Sequence, residues 1–443
     1  MTPRGASLAL CGFYFLFYGF YGVTIPYLPV WLASRGLDPA LVGVVIAAAF
    51  LPKVISAPVF AHVADTWGKH RVLIQLLLFA TLFSLVLFFY AQTDAWFFSL
   101  TMAVNFFAPA ILPLMDRAAL AQRRRDGASS YTTIRLCGSV GFAVFSLLCG
   151  LLLDFTGADG VIWLGAALTL ACMALGRLLP LDVVRASGTS TNVPGTTPDT
   201  TATATPGATS DTTATATAGT TPGTTAGSAT AGTATSSASS ATRPTRKRAP
   251  LARILADSPV FWCIVASALV QASNGYLYSY ASLYWLAQGL GTAQIGLLWT
   301  VGIAAEIILF MLARQVLARV SPVNLILFSA AMTAVRWAGL AWVVDPFAMA
   351  AFQLLQAFTL AGNNMAIMAF LAARVDDQAR TTAIALYTML SAGLFMFLAI
   401  NLVNMLGVSQ SGWGFGVMAA CAALALPLVL WSRRRAELDS RIP

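Results

Sequence analysis

The sequence predicts an all-α polytopic membrane protein whose twelve transmembrane helices form two pseudo-symmetric bundles of six. Three observations predict this fold class: an apolar composition, a one-sided distribution of basic residues between the apolar runs, and an internal repeat. Of the 443 residues, 58% are hydrophobic and only 10% are charged, and the mean hydropathy is +0.76. A water-soluble domain carries far more charge, so we expect hydrocarbon around most of this chain.

Apolar runs recur along the chain, each close to the roughly 20 residues that a helix needs to cross the hydrocarbon. We place the spans at residues 7–32, 40–62, 72–92, 95–115, 131–153, 160–180, 259–284, 293–313, 323–343, 346–369, 383–406 and 413–432. The runs are continuous, whereas strands of a membrane barrel alternate over about 10 residues. The first run, from Ser7 to Leu32, follows Arg4 but is too long for a signal peptide, so we expect a retained span.

The basic residues between the spans lie almost entirely on one side of the predicted membrane. They are Arg4, Lys69, Arg71, Arg117, Arg123, Arg124, Arg125, Arg314, Arg319, Arg374, Arg380, Arg433, Arg434 and Arg435. Cytoplasmic segments carry an excess of Lys and Arg, so we expect this side, with both termini, in the cytoplasm. The opposite loops offer only Arg35. One missed helix would reverse every later loop, so the asymmetry supports a count of twelve.

The two halves share a sequence repeat at the end of their first helices. Residues 31–43 read WLASRGLDPALVG, and residues 285–296 read WLAQGLGTAQIG, which match with one gap. The match pairs the first span with the seventh, as expected for a duplicated six-helix unit. In membrane proteins built from such parallel repeats, the halves are related by an axis along the membrane normal, and a ligand site lies between them near mid-membrane.

The composition also predicts the domain organisation. We expect an N-terminal six-helix bundle at residues 1–182, a cytoplasmic linker at 183–250, a C-terminal six-helix bundle at 251–435 and a cytoplasmic tail at 436–443. Residues 187–242 are Thr, Ala, Ser, Gly and Pro apart from Asn192, Val193, Asp199 and Asp211, so they cannot build a core and are expected to be disordered. The basic run at residues 246–248 is a topology signal or a contact with anionic lipids.

Residue spacing argues against several other functions. All six cysteines lie inside apolar runs without metal-ligand or disulfide spacing, so no metal and no other cofactor is expected; they are Cys11, Cys137, Cys149, Cys172, Cys263 and Cys421. The net charge of +9 arises in short loops beside the spans, so nucleic acid is not an expected partner. A membrane enzyme or receptor remains an alternative. An enzyme that acts on lipid-linked substrates needs a cluster of polar catalytic residues near the membrane surface, and the candidates here are limited to His62, His70 and the Asp376-Asp377 pair.

Four ionisable residues lie well inside the predicted spans: Lys53, Arg135, Glu306 and Arg336. A charge at the bilayer centre costs roughly 2.5–3.5 kcal/mol on insertion scales, so each must face a cavity or a partner. Lys53 lies ten residues after Gly43, and Glu306 lies ten residues after Gly296. The repeat therefore places these opposite charges at equivalent positions in spans two and eight, which indicates a central cavity; a purely structural role is the alternative.

Glu306 is the acidic residue deepest inside a predicted span, since Asp65 and Asp116 lie at cytoplasmic ends. A carboxyl group balanced between burial and a nearby cation can take up and release a proton as its surroundings change. We predict that Glu306 couples protons, with Arg336 as the neighbouring cation and Arg135 as a second candidate. The alternative is a permanent salt bridge that holds helices together.

Lys53 and Arg135 are the predicted binding residues for an anionic small molecule. A Lys ammonium acts as a point charge, and an Arg guanidinium can hold a carboxylate through two donors. Tyr18, Asn274 and Tyr278, in spans one and seven, are predicted to line the same site. Other amides within spans either orient a ligand or bond neighbouring helices; they are Asn105, Gln271, Gln353, Gln356, Asn363 and Asn364.

The loop between spans two and three resembles the cytoplasmic signature loop of the major facilitator superfamily, a pattern of Gly, Asp, basic, Gly and basic residues. Residues 61–71 read AHVADTWGKHR, and the positions that match are Asp65, Gly68, Lys69 and Arg71. Ala61 replaces the first glycine, and Thr66 replaces the first basic residue.

Segments of both halves resemble the phenylpropionate permease branch of that superfamily. Residues 135–142, RLCGSVGF, look like its Arg-Leu-Trp-Gly-Ser pattern, with Cys137 in place of the tryptophan. Residues 302–310, 335–337 and 284–285 also resemble this branch. The linker takes no part in the resemblance.

The resemblance implies a secondary transporter rather than an enzyme. It implies proton-coupled uptake of an aromatic carboxylic acid such as 3-phenylpropionate across a bacterial inner membrane, by alternating access. The expected partners are thus an anionic small molecule, protons and membrane lipids, and we expect a monomer. A more distant similarity to the oligosaccharide:proton symporters leaves a sugar open, and a drug is a further alternative within the same fold.

Overall fold

The computed structural model describes residues 3–126, 131–179 and 250–439. All regular secondary structure in these ranges is helical. The predicted linker lies outside the described residues except for Pro250, and so do residues 440–443 of the predicted tail.

The described part of the N-terminal half contains eight α-helices: α1 (Pro3–Ser34), α2 (Pro39–Ala48), α3 (Phe50–Trp67), α4 (His70–Leu87), α5 (Asp94–Phe107), α6 (Ile111–Asp126), α7 (Tyr131–Thr156) and α8 (Gly160–Gly176). Short 3-10 turns at Phe88–Tyr90 and Ala108–Ala110 extend α4 and join α5 to α6. Helices α2 and α3 together form the second span, and α5 with α6 forms the fourth.

The described part of the C-terminal half contains α9 (Pro250–Ala256), α10 (Ser258–Ala272), α11 (Gly275–Ser279), α12 (Ala281–Ala287), α13 (Thr292–Met311), α14 (Ala313–Arg319), α15 (Pro322–Trp342), α16 (Pro346–Leu354), α17 (Asn363–Arg374), α18 (Asp377–Thr388), α19 (Phe395–Met405) and α20 (Trp413–Asp439). Two π-helical segments, Phe358–Gly362 and Met389–Leu394, lie within the tenth and eleventh spans.

Eleven helical segments in the described part of the chain are long and apolar enough to cross a membrane. The shorter apolar helix α8 lies where the sixth span is predicted. Together these segments confirm the predicted all-α polytopic fold with twelve apolar spans.

Several spans begin at a proline that follows a capping side chain. Asp38, Ser321 and Asp345 accept hydrogen bonds from backbone amides in the first turns of α2, α15 and α16, and each is followed by proline. Proline fits a first turn because no N–H there needs a helical partner, and the capping oxygen satisfies another unpaired amide. The local sequence thereby fixes where these spans begin.

The matching tryptophans of the repeat are buried in the same manner. Trp31 and Trp285 both have no exposed surface. Trp31 packs edge-on against Phe88 and Phe97, and Trp285 stacks on Phe415 of its own half. Each half thus buries its tryptophan against aromatic rings of the same bundle, as expected for duplicated units.

Hydrogen bonds join the two halves at the end of the bundle that carries the loops at residues 35–38 and 288–291, which we call the closed face. The hydroxyl of Tyr27 lies 3.1 Å from the carbonyl oxygen of Ser146 and 3.0 Å from that of Thr292. The Thr292 hydroxyl lies 2.7 Å from the Gly150 carbonyl oxygen and 2.6 Å from Asp154 Oδ1. This face is the predicted periplasmic one.

Glycines permit the close approach of α7 and α13 at the closed face. A Cβ at Gly150 would lie 2.5 Å from the Thr292 carbonyl oxygen, and one at Gly296 would lie 2.6 Å from the Ser146 carbonyl oxygen. Close backbone contact of this kind is the usual means by which membrane helices associate, because lipid offers no hydrophobic drive between them.

The seventh span is interrupted twice, although the sequence predicts one helix over 259–284. The first break, at Ser273 and Asn274, coincides with side chains that bond to the preceding turn: Ser273 donates to the Val270 carbonyl and Asn274 donates to the Gln271 carbonyl. The second break is at Tyr280, whose φ is −126°. Side chains that bond to nearby backbone compete with the helical ladder, which the apolar pattern alone does not reveal.

Candidate functional site

Two cavities lie side by side where the halves meet. The first, the Lys53 cavity, has a volume of about 60 Å³ and is lined mainly by α1, α2, α3 and α5 of the N-terminal half. The second, the Glu306 cavity, has a volume of about 20 Å³ and is lined by residues of both halves. Among the described lining residues, Ile25 and Tyr278 belong to both cavities.

Lys53 supplies the positive charge of a cavity that is otherwise mostly apolar. Its ammonium nitrogen lies 4.3 Å from the ring centroid of Phe50. No carboxylate of the described chain pairs with it. Phe20, Tyr21 and Asn105 contribute further rings and one amide to the lining. The cavity therefore combines aromatic surface with one cation that a ligand can neutralise.

A glutamine joins the two opposite charges of the C-terminal half. Gln356 Nε2 donates a hydrogen bond of 2.5 Å to Glu306 Oε1, and Gln356 Oε1 accepts one of 2.6 Å from Arg336. Glu306 and Arg336, on α13 and α15, form no direct ion pair within the described structure. Both are buried, with 3% and 0% of their surfaces exposed. The predicted pair is thus a three-membered relay, which sequence alone could not distinguish from a salt bridge.

Arg336 is held on every side by polar groups of the tenth span and by a ring. It also donates to Gln353 Oε1 at 2.6 Å and lies 3.4 Å from the Thr359 hydroxyl. Its guanidinium carbon lies 4.1 Å from the ring centroid of Trp337. Gln353, Gln356 and Thr359 recur every three residues, so one face of the tenth span presents them all. This spacing is the sequence signal for the relay, and Thr359 is its one member outside the predicted set.

The N-terminal half contains a second buried polar cluster. Arg135, 7% exposed, donates to the hydroxyl of Tyr18 at 3.3 Å, and Tyr18 lines the Glu306 cavity. Arg135 therefore lies by the Glu306 cavity rather than among the residues that line the Lys53 cavity. Tyr14, which stacks on Tyr18, donates to the carboxylate of Asp116.

Asp116 is a buried acid, although sequence reasoning places it at a cytoplasmic helix end. Its exposed fraction is 8%, and α1 covers it through Tyr14. The sequence signal for its burial is the apolar run at residues 111–115 directly before it. A second carboxylate thus lies inside the bundle, in the half opposite to Glu306.

The two predicted ligand residues of the seventh span differ in position. Tyr278 lines both cavities and lies between the rings of Phe50 and Trp299, with centroid distances of 6.2 Å and 6.0 Å. Asn274 is fully buried and donates to the Gln271 carbonyl, so the structure places it in the helix break instead of the cavity lining.

The signature loop contributes no residue to the lining described for either cavity. Asp65 pairs with Arg117 of the fourth span at 2.5 Å, and both side chains are largely exposed. Gly68 ends α3 with a φ of +62°, a left-handed conformation that glycine adopts without strain. Lys69 and Arg71 follow at the start of α4. The described loop is thus a tight turn between two spans, tied to a third.

No group of three or more His, Cys, Asp or Glu residues that could hold a metal occurs in the described ranges. The six cysteines are free thiols.

Comparison with known proteins gives consistent matches over most of the chain. The model of the MFS_1 like family matches residues 7–405. A probable 3-phenylpropionic acid transporter of Escherichia coli (strain K12) is 23% identical over 431 residues, 94% of each chain. The maltose permease of Geobacillus stearothermophilus is 30% identical over 181 residues, 40% of this chain and 45% of the permease.

Solved structures share the fold at low sequence identity. A mutant form of the nucleoside transporter NupG superposes with a TM-score of 0.71 at 15% identity, and the match covers 97% of this chain and 99% of the NupG chain. A bacterial homolog of the human lysosomal transporter Spinster, inward-facing and unoccupied, gives a TM-score of 0.63 at 13% identity, covering 98% of this chain and 97% of its own.

Proposed function

Because this chain belongs to the MFS_1 like family and is a multi-pass transporter of the major facilitator type, we propose that it carries a small organic anion together with protons. The substrate we propose is an aromatic carboxylate such as 3-phenylpropionate, taken up across a bacterial inner membrane by rocking of the two halves. The probable 3-phenylpropionic acid transporter of Escherichia coli is similar over nearly the whole chain, which supports this choice.

The Lys53 cavity carries the proposal. It offers aromatic rings for an apolar body and a single ammonium group, unpaired with any described carboxylate, for the charge of a carboxylate. Such an enclosed cation attracts an anion strongly, because the surrounding dielectric is low. Arg135 lies by the Glu306 cavity, through its hydrogen bond to Tyr18. We therefore propose that it takes part in proton coupling and does not bind the anion.

Glu306 is the proposed proton carrier. It lines a cavity between the halves, and its hydrogen bond from Gln356 leads to Arg336, a cation that can stabilise the ionised carboxylate. The direct contact is an amide, which stabilises the carboxylate less than an adjacent guanidinium does. We infer that this indirect pairing keeps both protonation states of Glu306 accessible during the transport cycle.

The contacts at the closed face suggest which way the cavities open. If the termini lie in the cytoplasm, as the distribution of basic residues predicts, the Tyr27 and Thr292 hydrogen bonds seal the periplasmic end. The structure then corresponds to an inward-facing state.

Transport by right-side-out membrane vesicles with an imposed pH gradient tests the proton role. We expect wild type to accumulate labelled 3-phenylpropionate when the outside is acidic, and Glu306→Gln to exchange substrate across the membrane without accumulating it. Removing the titratable group abolishes coupling but leaves the anion cavity intact. Arg314→Gln, at an exposed position, is the matched control. Accumulation by Glu306→Gln at the wild-type level would contradict the assignment.

Replacement of Lys53 tests the anion role. We expect Lys53→Gln to raise the KM for 3-phenylpropionate roughly 10- to 100-fold, as for loss of a charged hydrogen bond of about 1.5–3 kcal/mol. Lys53→Arg should retain more affinity than Lys53→Gln, since the charge remains. Thermal shift with a panel of aromatic acids, maltose, melibiose and nucleosides provides the second measurement. Stabilisation by a neutral sugar and not by any acid would favour the alternative, a sugar transporter, in keeping with the partial match to maltose permease.

A further inference from the structure

Ile25 and Tyr278 form a wall between Lys53 and Glu306, since both residues line both cavities. Ile25 belongs to the first span and Tyr278 to the seventh. Ile25 lies six residues before Trp31, and Tyr278 lies seven residues before Trp285, so the repeat places them at nearly equivalent positions. Each half contributes one side chain to the wall, so relative motion of the halves must change the distance between Ile25 and Tyr278.

The Tyr278 ring closes the wall by stacking between the two halves. It lies nearly parallel to Phe50 of the N-terminal half, at an interplanar angle of 27°, and to Trp299, at 21°. Trp299 in turn lies 6.1 Å from the ring of Phe142 on α7. Ring contacts at these separations are attractive but lack the directionality of hydrogen bonds. The wall therefore depends on ring contacts that a relative motion of the two halves can shift.

The stack lies between the charged group of one cavity and the charged group of the other. The Lys53 ammonium lies over Phe50, the ring on which Tyr278 stacks. A carboxylate that draws the ammonium away from Phe50 removes a cation–π contact from the end of the stack. On the other side, Tyr278 lines the Glu306 cavity together with Glu306 and Gln356.

The segment that carries Tyr278 is separated from the rest of its span. Helix α11 has five residues and lies between the breaks at Ser273–Asn274 and at Tyr280. Tyr276 anchors it, because its hydroxyl lies 3.1 Å and 2.9 Å from the carbonyl oxygens of Ser409 and Ser411. A short helical segment that is anchored on one face can reorient the side chains of its other face without moving the neighbouring helices, as discontinuous helices of transporters do.

We propose that Tyr278 is the positioning residue that couples the two cavities: its ring separates Glu306 from the Lys53 cavity until an anion binds Lys53. The inference rests on the proposed function, since it takes Lys53 as the anion site and Glu306 as the proton carrier. Without an anion, the stack prevents proton exchange with Glu306 through the Lys53 cavity. When the anion binds, the ring turns aside and the cavities join.

Proton flux into liposomes that contain the purified full-length chain tests this coupling. With a pH gradient and no substrate, we expect Tyr278→Ala to leak protons about tenfold faster than wild type, because the gate is missing. Tyr278→Phe should remain near the wild-type rate, since it keeps the ring. Tyr284→Ala, on the same span but outside both cavity linings, is the control. Equal flux through Tyr278→Ala and wild type would overturn the proposal.

Cysteine labelling tests the wall without relying on transport. In a variant whose six native cysteines are replaced, Ser139→Cys reports on the Glu306 cavity and Ala49→Cys on the Lys53 cavity. Adding Tyr278→Ala should speed labelling of Ser139→Cys by a small anionic thiol reagent about tenfold and leave Ala49→Cys unchanged. Unchanged labelling of both sites would also overturn the proposal. The two proposals can fail separately. Faster Ser139→Cys labelling in the Tyr278→Ala variant, combined with no gradient-driven uptake by wild type, would refute the proposed function but would still support Tyr278 as a barrier between the cavities.

Discussion

Gln356 is the residue on which the arrangement of buried charge in the C-terminal half depends. It gives a donor to Glu306 and an acceptor to Arg336, so one neutral amide satisfies two groups of opposite charge. An amide is suited to this position because it carries both a donor and an acceptor. The hydrogen bonds of the relay thereby offset part of the desolvation cost that both buried charges meet in the membrane interior.

Replacing Gln356 by leucine should destabilise the protein and impair coupling. Loss of both hydrogen bonds leaves two buried polar groups short of a partner, which costs about 1–3 kcal/mol each. We expect a lower unfolding temperature in detergent and reduced gradient-driven uptake, whereas Gln315→Leu, at an exposed position, changes neither. A Gln356→Leu protein with wild-type stability and uptake would show that the relay is dispensable.

At this scale the sequence predicts which ionisable residues lie deep in the bundle, because charges interrupt long apolar runs. It does not predict their partners. Glu306 and Arg336 lie on different helices, and whether they touch depends on helix rotation, which apolar periodicity leaves open when a helix is apolar all round. The burial of Asp116 escapes prediction for a similar reason: its depth depends on coverage by Tyr14, a contact between distant segments.

Helices α7 and α13 form the main contact between the halves, and glycine at position 296 sets how closely they can lie. A Cβ there would meet the Ser146 carbonyl oxygen at 2.6 Å and the Tyr27 hydroxyl at 2.7 Å. Backbone atoms cannot move aside as a flexible side chain can, so any larger residue must part the helices.

Gly296→Leu should therefore favour a state in which α7 and α13 are separated and the cavities open toward the face that is closed in this structure. We expect a cysteine at Thr24, deep in the Lys53 cavity, to become more reactive to reagent added outside intact cells, while net transport falls because the cycle cannot complete. Gly291→Leu, where a Cβ has room, is the control. Unaltered reactivity at Thr24→Cys in the Gly296→Leu protein would argue against this interpretation.

Element boundaries follow from the sequence where local chemistry decides them, as at the capped proline starts of α2, α15 and α16. The breaks in the seventh span and the π-helical segments cannot be predicted from the sequence in this way. These segments are as apolar as regular helix, and their distortion depends on side chains such as Ser273 and on packing in the assembled bundle.

The whole molecule has a sidedness that the sequence predicts from its basic loops. Thr93 lies at the closed face, on the predicted outside, and Gln315 lies on the opposite face; both are exposed. In a background without native cysteines, Thr93→Cys should react with an impermeant thiol reagent in intact cells, and Gln315→Cys only after the membrane is permeabilised. The reverse pattern would invert the orientation and make the structure outward-facing.

The duplication and the count of spans could be predicted for the whole molecule because both depend on composition and repetition along the chain. The division of the central space into two cavities could not. It arises from one ring, Tyr278, that crosses from one half to stack on the other, and a contact between halves leaves no periodic trace in sequence.

The closed face is held largely by hydroxyl groups bound to main-chain carbonyl oxygens, as Tyr27 is to Ser146 and Thr292. Neutral dipoles of this kind are hardly screened by dissolved ions, in contrast to exposed ion pairs, whose attraction fades as ionic strength rises. The hydrogen bonds of Tyr27 to the main chain at the closed face should therefore persist in dilute and in salty surroundings alike.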